Sequence, residues 1–242
     1  MNNIRVCSYN IHKGFSASNR RFLLDDMRHA IRLLDSDVVF LQEVVGHDLQ
    51  YKGAGEVTIG TQFEFLADEI WPHYAYGQNA VVAQGHHGNA VLTKYPISDW
   101  RNIDISHWWF SQRGLLSCRL QNGLQLVCVH LGLFASERSR QLEQLAIVLN
   151  SELDLNQPLL VAGDFNDWNL SLHARLLSEL GLSEVMSKIY GRPAKTFPAR
   201  LPLLAMDRIY YKNLELVDAG VLNGGPWARL SDHAAVSAIF SW

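Results

Sequence analysis

Side chains able to do chemistry stand at the ends of several apolar runs in this sequence. Asn10 closes RVCSYN, Glu43 closes DVVFLQE, and His130 ends the apolar part of LQLVCVHLG. Asp164 and Asn166 follow LLVAG, and Asp232 and His233 introduce AAVSAIF. Any one of them has a local explanation, since Asp and Asn bond to nearby backbone and favour turns at strand ends. Strands that share a sheet, however, carry such residues to one edge, where side chains remote in sequence converge. Carboxylate and amide oxygens without thiolates suit a hard cation such as Mg²⁺ or Mn²⁺, which holds phosphate oxygens and keeps much of its water. A neighbouring Asp–His pair moves protons or stabilises charge on a phosphorane-like transition state. The combination points to phosphoester hydrolysis.

The elements that must position these residues follow from periodicity. Arg5 to Tyr9 reads as a strand, Arg21 to Leu34 carries Leu23, Met27, Ala30, Ile31 and Leu34 at helical spacing, and residues 37–43 form a short buried strand. A glycine-containing loop from Lys52 to Gly60 precedes a short helix near Phe63 to Trp71. Short strands follow at Ala80–Ala83, Ala90–Lys94 and Leu115–Leu120. Residues 124–132 and 158–166 are buried-strand candidates flanking a helical segment near Ser136 to Leu153, so the strand-helix-strand pattern recurs. MDRIYY and HAAVSAIF read as closing strands. No low-complexity linker divides the chain, which is expected to form one α/β domain over residues 1–242.

Composition narrows the function. Of 242 residues, 48% are hydrophobic, enough for a sizeable core. No apolar block is long enough to span a membrane and the first residues lack the pattern of a signal peptide, so a soluble, cytoplasmic protein is expected. Cys7, Cys118 and Cys128 lie in apolar runs without a C-x-x-C pair and read as core. GAGEVT has Thr58 where the third glycine of a dinucleotide fingerprint belongs, and G-x-S-x-G, H-E-x-x-H and Walker A patterns are absent. The formal charge of −3 argues against a general nuclease, which draws on a basic surface.

SYNIHKG, LQE, GNAVLTKYPI, VHLG, GDFN, MDRIYY and SDH occur in the order seen in the endonuclease/exonuclease/phosphatase superfamily, the group of DNase I, exonuclease III, sphingomyelinases and inositol-polyphosphate 5-phosphatases. The chain resembles that family from Asn10 to His233. The resemblance implies a four-layer α/β sandwich, two mixed β-sheets packed face to face with helices outside, and a catalytic cleft at one edge. It implies Glu43 as the principal metal carboxylate, with Asn10 beside it and Asp232 near the metal. It implies Asp164 to orient or deprotonate water, Asn166 and His130 to hold phosphate oxygens, and His233, paired with Asp207, to contact the scissile phosphate. Asn89 matches a position near the cleft, and Arg113 is a candidate for bidentate phosphate binding. His12, Lys13, His86 and His87 read as loop residues rather than ligands.

VHLG followed by LFASERSRQ resembles the DNase I, sphingomyelinase and bacterial metal-hydrolase branches more than the abasic-site endonucleases. HWWF, residues 107–110, falls in a loop before Arg113, where its rings stack a base, touch lipid or pack together. The expectation is a divalent-metal-dependent phosphodiesterase acting on a small-molecule, lipid-headgroup or nucleic-acid diester, with peripheral membrane contact open and no obligate protein partner. A DNA or RNA endonuclease or exonuclease is the alternative within the class. A silent binding module is the alternative outside it, but such a chain is expected to lose a metal or Asp–His residue, and this one keeps them. If duplex DNA is not the substrate, DNA binding at physiological salt is weak and log K depends only shallowly on log salt. Tight binding with a steep slope in a salt titration reverses that preference.

Overall fold

Central strands of this chain are apolar on both faces, so each sheet has to be covered twice. In β1 (Asn3–Asn10), Ile4 and Val6 point into one core while Cys7 and Tyr9 point into another. The computed structural model describes residues 3–18, 21–48, 61–82 and 85–241. Within them the first sheet has the strand order β11 (Glu215–Leu222), β12 (Ala235–Ser241), β1, β2 (Val38–Asp48), β4 (Gly85–Thr93), β3 (His73–Val82). The second runs β5 (Ile97–Asp104), β6 (Gly114–Leu120), β7 (Gln125–His130), β8 (Leu159–Asp164), β10 (Asp207–Lys212), β9 (Ser183–Glu184). Both sheets are mixed: β1–β2 and β7–β8 are parallel pairs, and the other pairings are antiparallel.

Between the sheets lies a core that includes Val38, Phe40, Val91, Leu116, Leu126, Leu160 and Phe240. Helices cover the outer faces. On the first sheet, α1 (Leu24–Leu33) buries Leu24, Met27, Ala30 and Ile31, and α2 (Gln62–Ala67) starts at a capping box in which Thr61 and Glu64 satisfy each other's backbone donors. The short α6 (Trp227–Leu230) adds Leu230 to that layer. On the second sheet, α3 (Ala135–Ser151) and α4 (Ser171–Leu180) contribute Leu142, Leu145, Leu172 and Leu176. Val185 and Met186 of α5 (Val185–Tyr190) join the central core. Each fully buried aliphatic side chain contributes roughly 1.5–3 kcal/mol, which is why four layers form rather than two.

The recurring strand-helix-strand units of the sequence are thus β1-α1-β2 and β7-α3-β8, one per sheet. β5 is unheralded because ISDWRNID is largely exposed or half-exposed, so its strand character comes from pairing with β6 and not from its own pattern. β3 begins at His73 rather than Ala80. His86 and His87 lie on β4, not in a loop. The loop from Lys52 to Gly60, GAGEVT within it, lies outside the described residues. The three cysteines are free and buried, and burial pushes the Cys7 and Cys128 thiols up to about 12.

One ion pair anchors the outer face of the second sheet. Asp167 and Arg208 are fully buried, and the Arg208 guanidinium donates to Asp167 Oδ2 at 3.0 Å and to the Asp167 and Ala205 carbonyls. Asp167 also accepts from the Leu172 and His173 backbone N–H groups and the Ser171 hydroxyl, filling the role of a helix cap at the start of α4. Removing one partner strands a buried charge, so Asp167→Ala is expected to cost about 3–5 kcal/mol in denaturant unfolding. A loss below about 1 kcal/mol, the range of an exposed pair, overturns this account.

Candidate functional site

Along four strands, the face turned toward the opposite sheet is apolar over most of its length and ends in a polar residue, with Ser8 preceding the last position on β1. It reads Ile4, Val6, Ser8, Asn10 on β1; Leu126, Cys128, His130 on β7; Leu160, Ala162, Asp164 on β8; and, in reverse, Tyr211, Ile209, Asp207 on β10. The period of two carries each polar group to the same face as the core residues before it. Register aligns them further, because Asp164 is paired with His130 on one side and Asp207 on the other. At Gly163 the parallel strands run so close that a Cβ would lie 1.9 Å from the Val129 carbonyl oxygen, and φ is +145°. Glycine is required there to seat Asp164 beside His130.

Asn10 ties the sheets together at this edge. Its Nδ2 donates to Asp164 Oδ2 and to Glu43 Oε1, each at 3.2 Å, and its Oδ1 accepts from the His12 N–H at 3.0 Å. Glu43 sits where the β2–β4 register breaks between Leu41 and Val44, with φ +57°, a left-handed conformation uncommon for glutamate. The bulge re-aims a residue that strict alternation would place elsewhere. Asn166, also left-handed, donates its side-chain amide to the Leu131 carbonyl and its backbone N–H to Asp164 Oδ1.

His233 Nδ1 lies 2.9 Å from Asp207 Oδ2, and Nε2 lies 3.9 Å from Asp164 Oδ2. Ser231 pins this segment by donating to the Asn10 carbonyl and accepting from the His233 N–H. Thr196, absent from the sequence reading, accepts from the Asp207 and Met206 N–H groups while its carbonyl accepts from Ala234, so it fixes both halves of the pair. Asp232 Oδ1 stands 3.6 Å from His12 Nδ1.

Burial and proximity set the charges. Burial raises Asp164 to about 6, with Asp207 adding to the rise while His233 and the bonds from Asn166 and Asn10 oppose it. Burial works against the His233 imidazolium, but Asp207 and Asp164, with Asp232 behind them, outweigh it and lift the group to about 10. Burial, then Arg113, holds His130 well below the usual histidine range. The neutral His130 ring lies 3.5 Å from Asp164 Oδ2 through Nε2 and beside Arg113 Nη1. Asp164, Asp207 and His233 have the spacing of a metal site among the described residues, but a protonated His233 has no lone pair to offer a cation. Oxygen donors from Glu43, Asn10 and Asp232 suit a hard cation better.

Arg113 therefore stands at the cleft. Asn89 is fully buried and donates to the Gly114 carbonyl, so it fixes the start of β6 next to Arg113 rather than joining the Asp164 cluster. Lys13 Nζ reaches to 3.9 Å from Glu43 Oε2, which places Lys13 and His12 at the site despite their loop-like sequence context. The cleft is rimmed on one side by exposed apolar residues. Trp108, Trp109 and Phe110 precede Arg113, Leu133 and Phe134 follow His130, and Phe110 meets Phe134 edge to face.

Fold and edge together define an α/β sandwich with a buried acidic and histidine-bearing cleft. The chain belongs to the Endonuclease/Exonuclease/phosphatase family, which its sequence matches over residues 7–233. It is 45% identical over 240 residues to the uncharacterised protein YbhP of Escherichia coli (strain K12), covering 97% of this chain and 94% of that protein. An endonuclease/exonuclease/phosphatase of Beutenbergia cavernae shares the fold with a TM-score of 0.78 at 20% identity, covering 99% of this chain and 72% of that one. D. rerio TDP2 complexed with single-strand DNA product superposes with a TM-score of 0.73 at 17% identity over the full length of both chains. Members of this family are hydrolytic enzymes, nucleases and phosphodiesterases among them.

In metal-free protein, imidazole NMR is expected to show His233 charged through neutral pH, and Asp207→Asn is expected to bring its pKa down by removing the nearest carboxylate. The sign fixes a stability window. The contribution of the raised His233 is full below the unfolded pKa near about 6.5 and is lost as pH rises through about 10. A His233 resonance neutral at pH 7 overturns the pairing.

Proposed function

We propose that this protein is a divalent-metal-dependent phosphodiesterase that hydrolyses its substrate by attack of water on phosphorus. The observation that carries this reading is Asp164, a buried carboxylate held by Asn10 from the opposite sheet and flanked by His233 and His130. Glu43, with Asn10 and Asp232, would hold Mg²⁺ or Mn²⁺, which when bound supplies charge to phosphate oxygens. The protein's own groups do the rest. Asp164, ionised above about pH 6, orients the water and accepts its proton. His233, kept cationic and oriented by Asp207, faces negative charge developing on the phosphate. His130 and the second amide proton of Asn166 hold further phosphate oxygens.

Net charge and surface favour a small or lipid-linked diester over duplex DNA. The chain carries −3 overall, and the rim beside Arg113 and His130 is largely aromatic, with Arg140 against His107 as its exposed cation. Amphipathic tryptophans at that edge suit an apolar or interfacial substrate. No helix among the described residues is long and apolar enough to cross a membrane, so such contact would be made from the surface.

With bis(p-nitrophenyl) phosphate as substrate, chelation is expected to abolish turnover and Mg²⁺ or Mn²⁺ to restore it. Glu43→Gln weakens metal binding by about tenfold to a hundredfold in calorimetry, and Asp164→Asn lowers kcat by about 10² to 10⁴. Full activity in metal-free protein removes the mechanism. The pH profile rises as Asp164 ionises near 6 and falls as His233 deprotonates toward about 10, and a bound cation moves both limbs to lower pH, since it favours the carboxylate and disfavours the imidazolium.

A further inference from the structure

The tight turn from Trp108 to Ser111 has Trp109 and Phe110 at its two central positions, and the Ser111 N–H closes it by donating to the Trp108 carbonyl at 2.9 Å. Glycine, proline, asparagine and aspartate favour such positions for conformational reasons that neither ring satisfies, so local structure does not account for the pair. The stem beneath is fixed, with the Ile105 N–H donating to the Arg113 carbonyl and the Arg113 N–H to Ser106 Oγ. Trp109 is held out at 87% exposure.

Phe134 repeats the pattern at the start of α3. It occupies the N-cap position, where a serine or aspartate would accept from the helix, and it makes no capping bond. Leu133 and Phe134 are exposed, yet their loop is pinned by buried groups: Arg138 Nη1 donates to the Leu133 carbonyl at 2.6 Å, and Gln141 Oε1 accepts from the Gly132 N–H at 2.8 Å. Phe110 stacks on Trp108 and meets Trp109 and Phe134 edge to face, so the rings form one patch.

Across the cleft a second loop does the same with aliphatic side chains. Leu201 and Leu203 are exposed, while the Ala199 N–H of that loop donates to the Asp232 carbonyl at 2.7 Å and the Phe197 ring packs on His233. In the second sheet β8, which ends in Asp164, lies between β6, which Arg113 precedes, and β10, which Asp207 opens. The mouth of the cleft therefore lies between two apolar flanks. Apolar residues gathered in this way and rimmed by polar ones mark an interaction surface.

Side-chain chemistry selects the partner. The leucines have no π face on which a base can stack, so a single-stranded nucleic acid accounts for one flank only. A protein seated on both flanks would cover the cleft. A lipid surface takes aromatic and aliphatic residues alike, and an exposed arginine accompanies each flank, Arg140 bonded to His107 and Arg200 next to Leu201, suited to lipid phosphates while the apolar tips enter. The overall charge of −3 disfavours an anionic bilayer, which leaves apolar entry as the source of attachment. We infer that the catalytic end docks on a zwitterionic phospholipid surface, with Trp109, Phe110 and Phe134 entering on one side of the cleft and Leu201 and Leu203 on the other. Resting on the phosphodiesterase reading, the diester that reaches Asp164 is then one presented in the plane of that surface.

Sedimentation with dioleoylphosphatidylcholine vesicles in EDTA reads docking without metal or turnover. The protein is expected to partition onto the vesicles with little change between about 0.1 and 0.5 M salt. Trp109→Ser and Leu201→Ser, each checked for an unchanged melting temperature, lower the partition coefficient about tenfold, since each removes one apolar side chain from the contact. Absence of binding, binding to phosphatidylglycerol vesicles alone that salt abolishes, or a partition unmoved by both substitutions overturns the inference. Oligothymidylate binding that Trp109→Ser abolishes, without partition onto vesicles, assigns the rim to nucleic acid instead. A kinetic arm embeds p-nitrophenyl phosphatidate in the same vesicles with Mg²⁺ or Mn²⁺, and at limiting vesicle concentration both substitutions are expected to lower its turnover about tenfold. Undiminished turnover overturns in-plane presentation of the substrate. If neither this ester nor bis(p-nitrophenyl) phosphate is hydrolysed, the phosphodiesterase reading falls while the partition still decides the docking.

Discussion

The Asp164 carboxylate is nearly inaccessible to solvent, and a buried charge has to be compensated by groups fixed in place. Its compensation comes from both sheets: Asn10 from one, His130 from the neighbouring strand of the other, and His233 from the loop that leads back into the first. The edge therefore exists only while the two sheets are docked. The apolar face-to-face core supplies the docking force, since it fills the space behind the polar row and leaves that row no deeper water to turn to. Packing and electrostatics are coupled at the last residue of each strand.

The stretch GDFND shows how closely a structural and a chemical carboxylate can sit. Asp164 and Asp167 are three positions apart and both buried, yet they face opposite sides of the second sheet. Asp167 has a full shell of donors, including a guanidinium, and Arg208 is held charged beside it. Asp164 has weaker and fewer donors, and its pKa rises. Incomplete satisfaction separates a group able to exchange a proton from one that only holds the fold.

Much of this was legible in the sequence because strand alternation is strict. Apolar runs that end in Asn10, His130 and Asp164 announce both the strands and the edge to which their last residues go. The convergence of those residues with Asp207 and His233 was legible only through the order of motifs across the chain, as pairing between strands distant in sequence leaves no local mark. β5 escaped because an exposed edge strand has no apolar face to betray it. Lys13 and His87 were read as loop residues because left-handed turns and strand register are tertiary facts. Thr196 escaped for a related reason, since a single hydroxyl that accepts two backbone donors looks like any other threonine.

Strand order has a consequence for how the protein is made. β12 is the last strand in sequence but an interior strand in its sheet, inserted between β11 and β1. The histidine that completes the cleft immediately precedes it. A chain emerging from the ribosome as far as β11 carries Glu43, His130, Asp164 and Asp207 but neither His233 nor the strand that closes the sheet around β1. Long-range pairing of this kind forms late. Sheet closure around β1 and arrival of His233 beside Asp207 are therefore one event, which waits on the pairing of β12 with both β1 and β11.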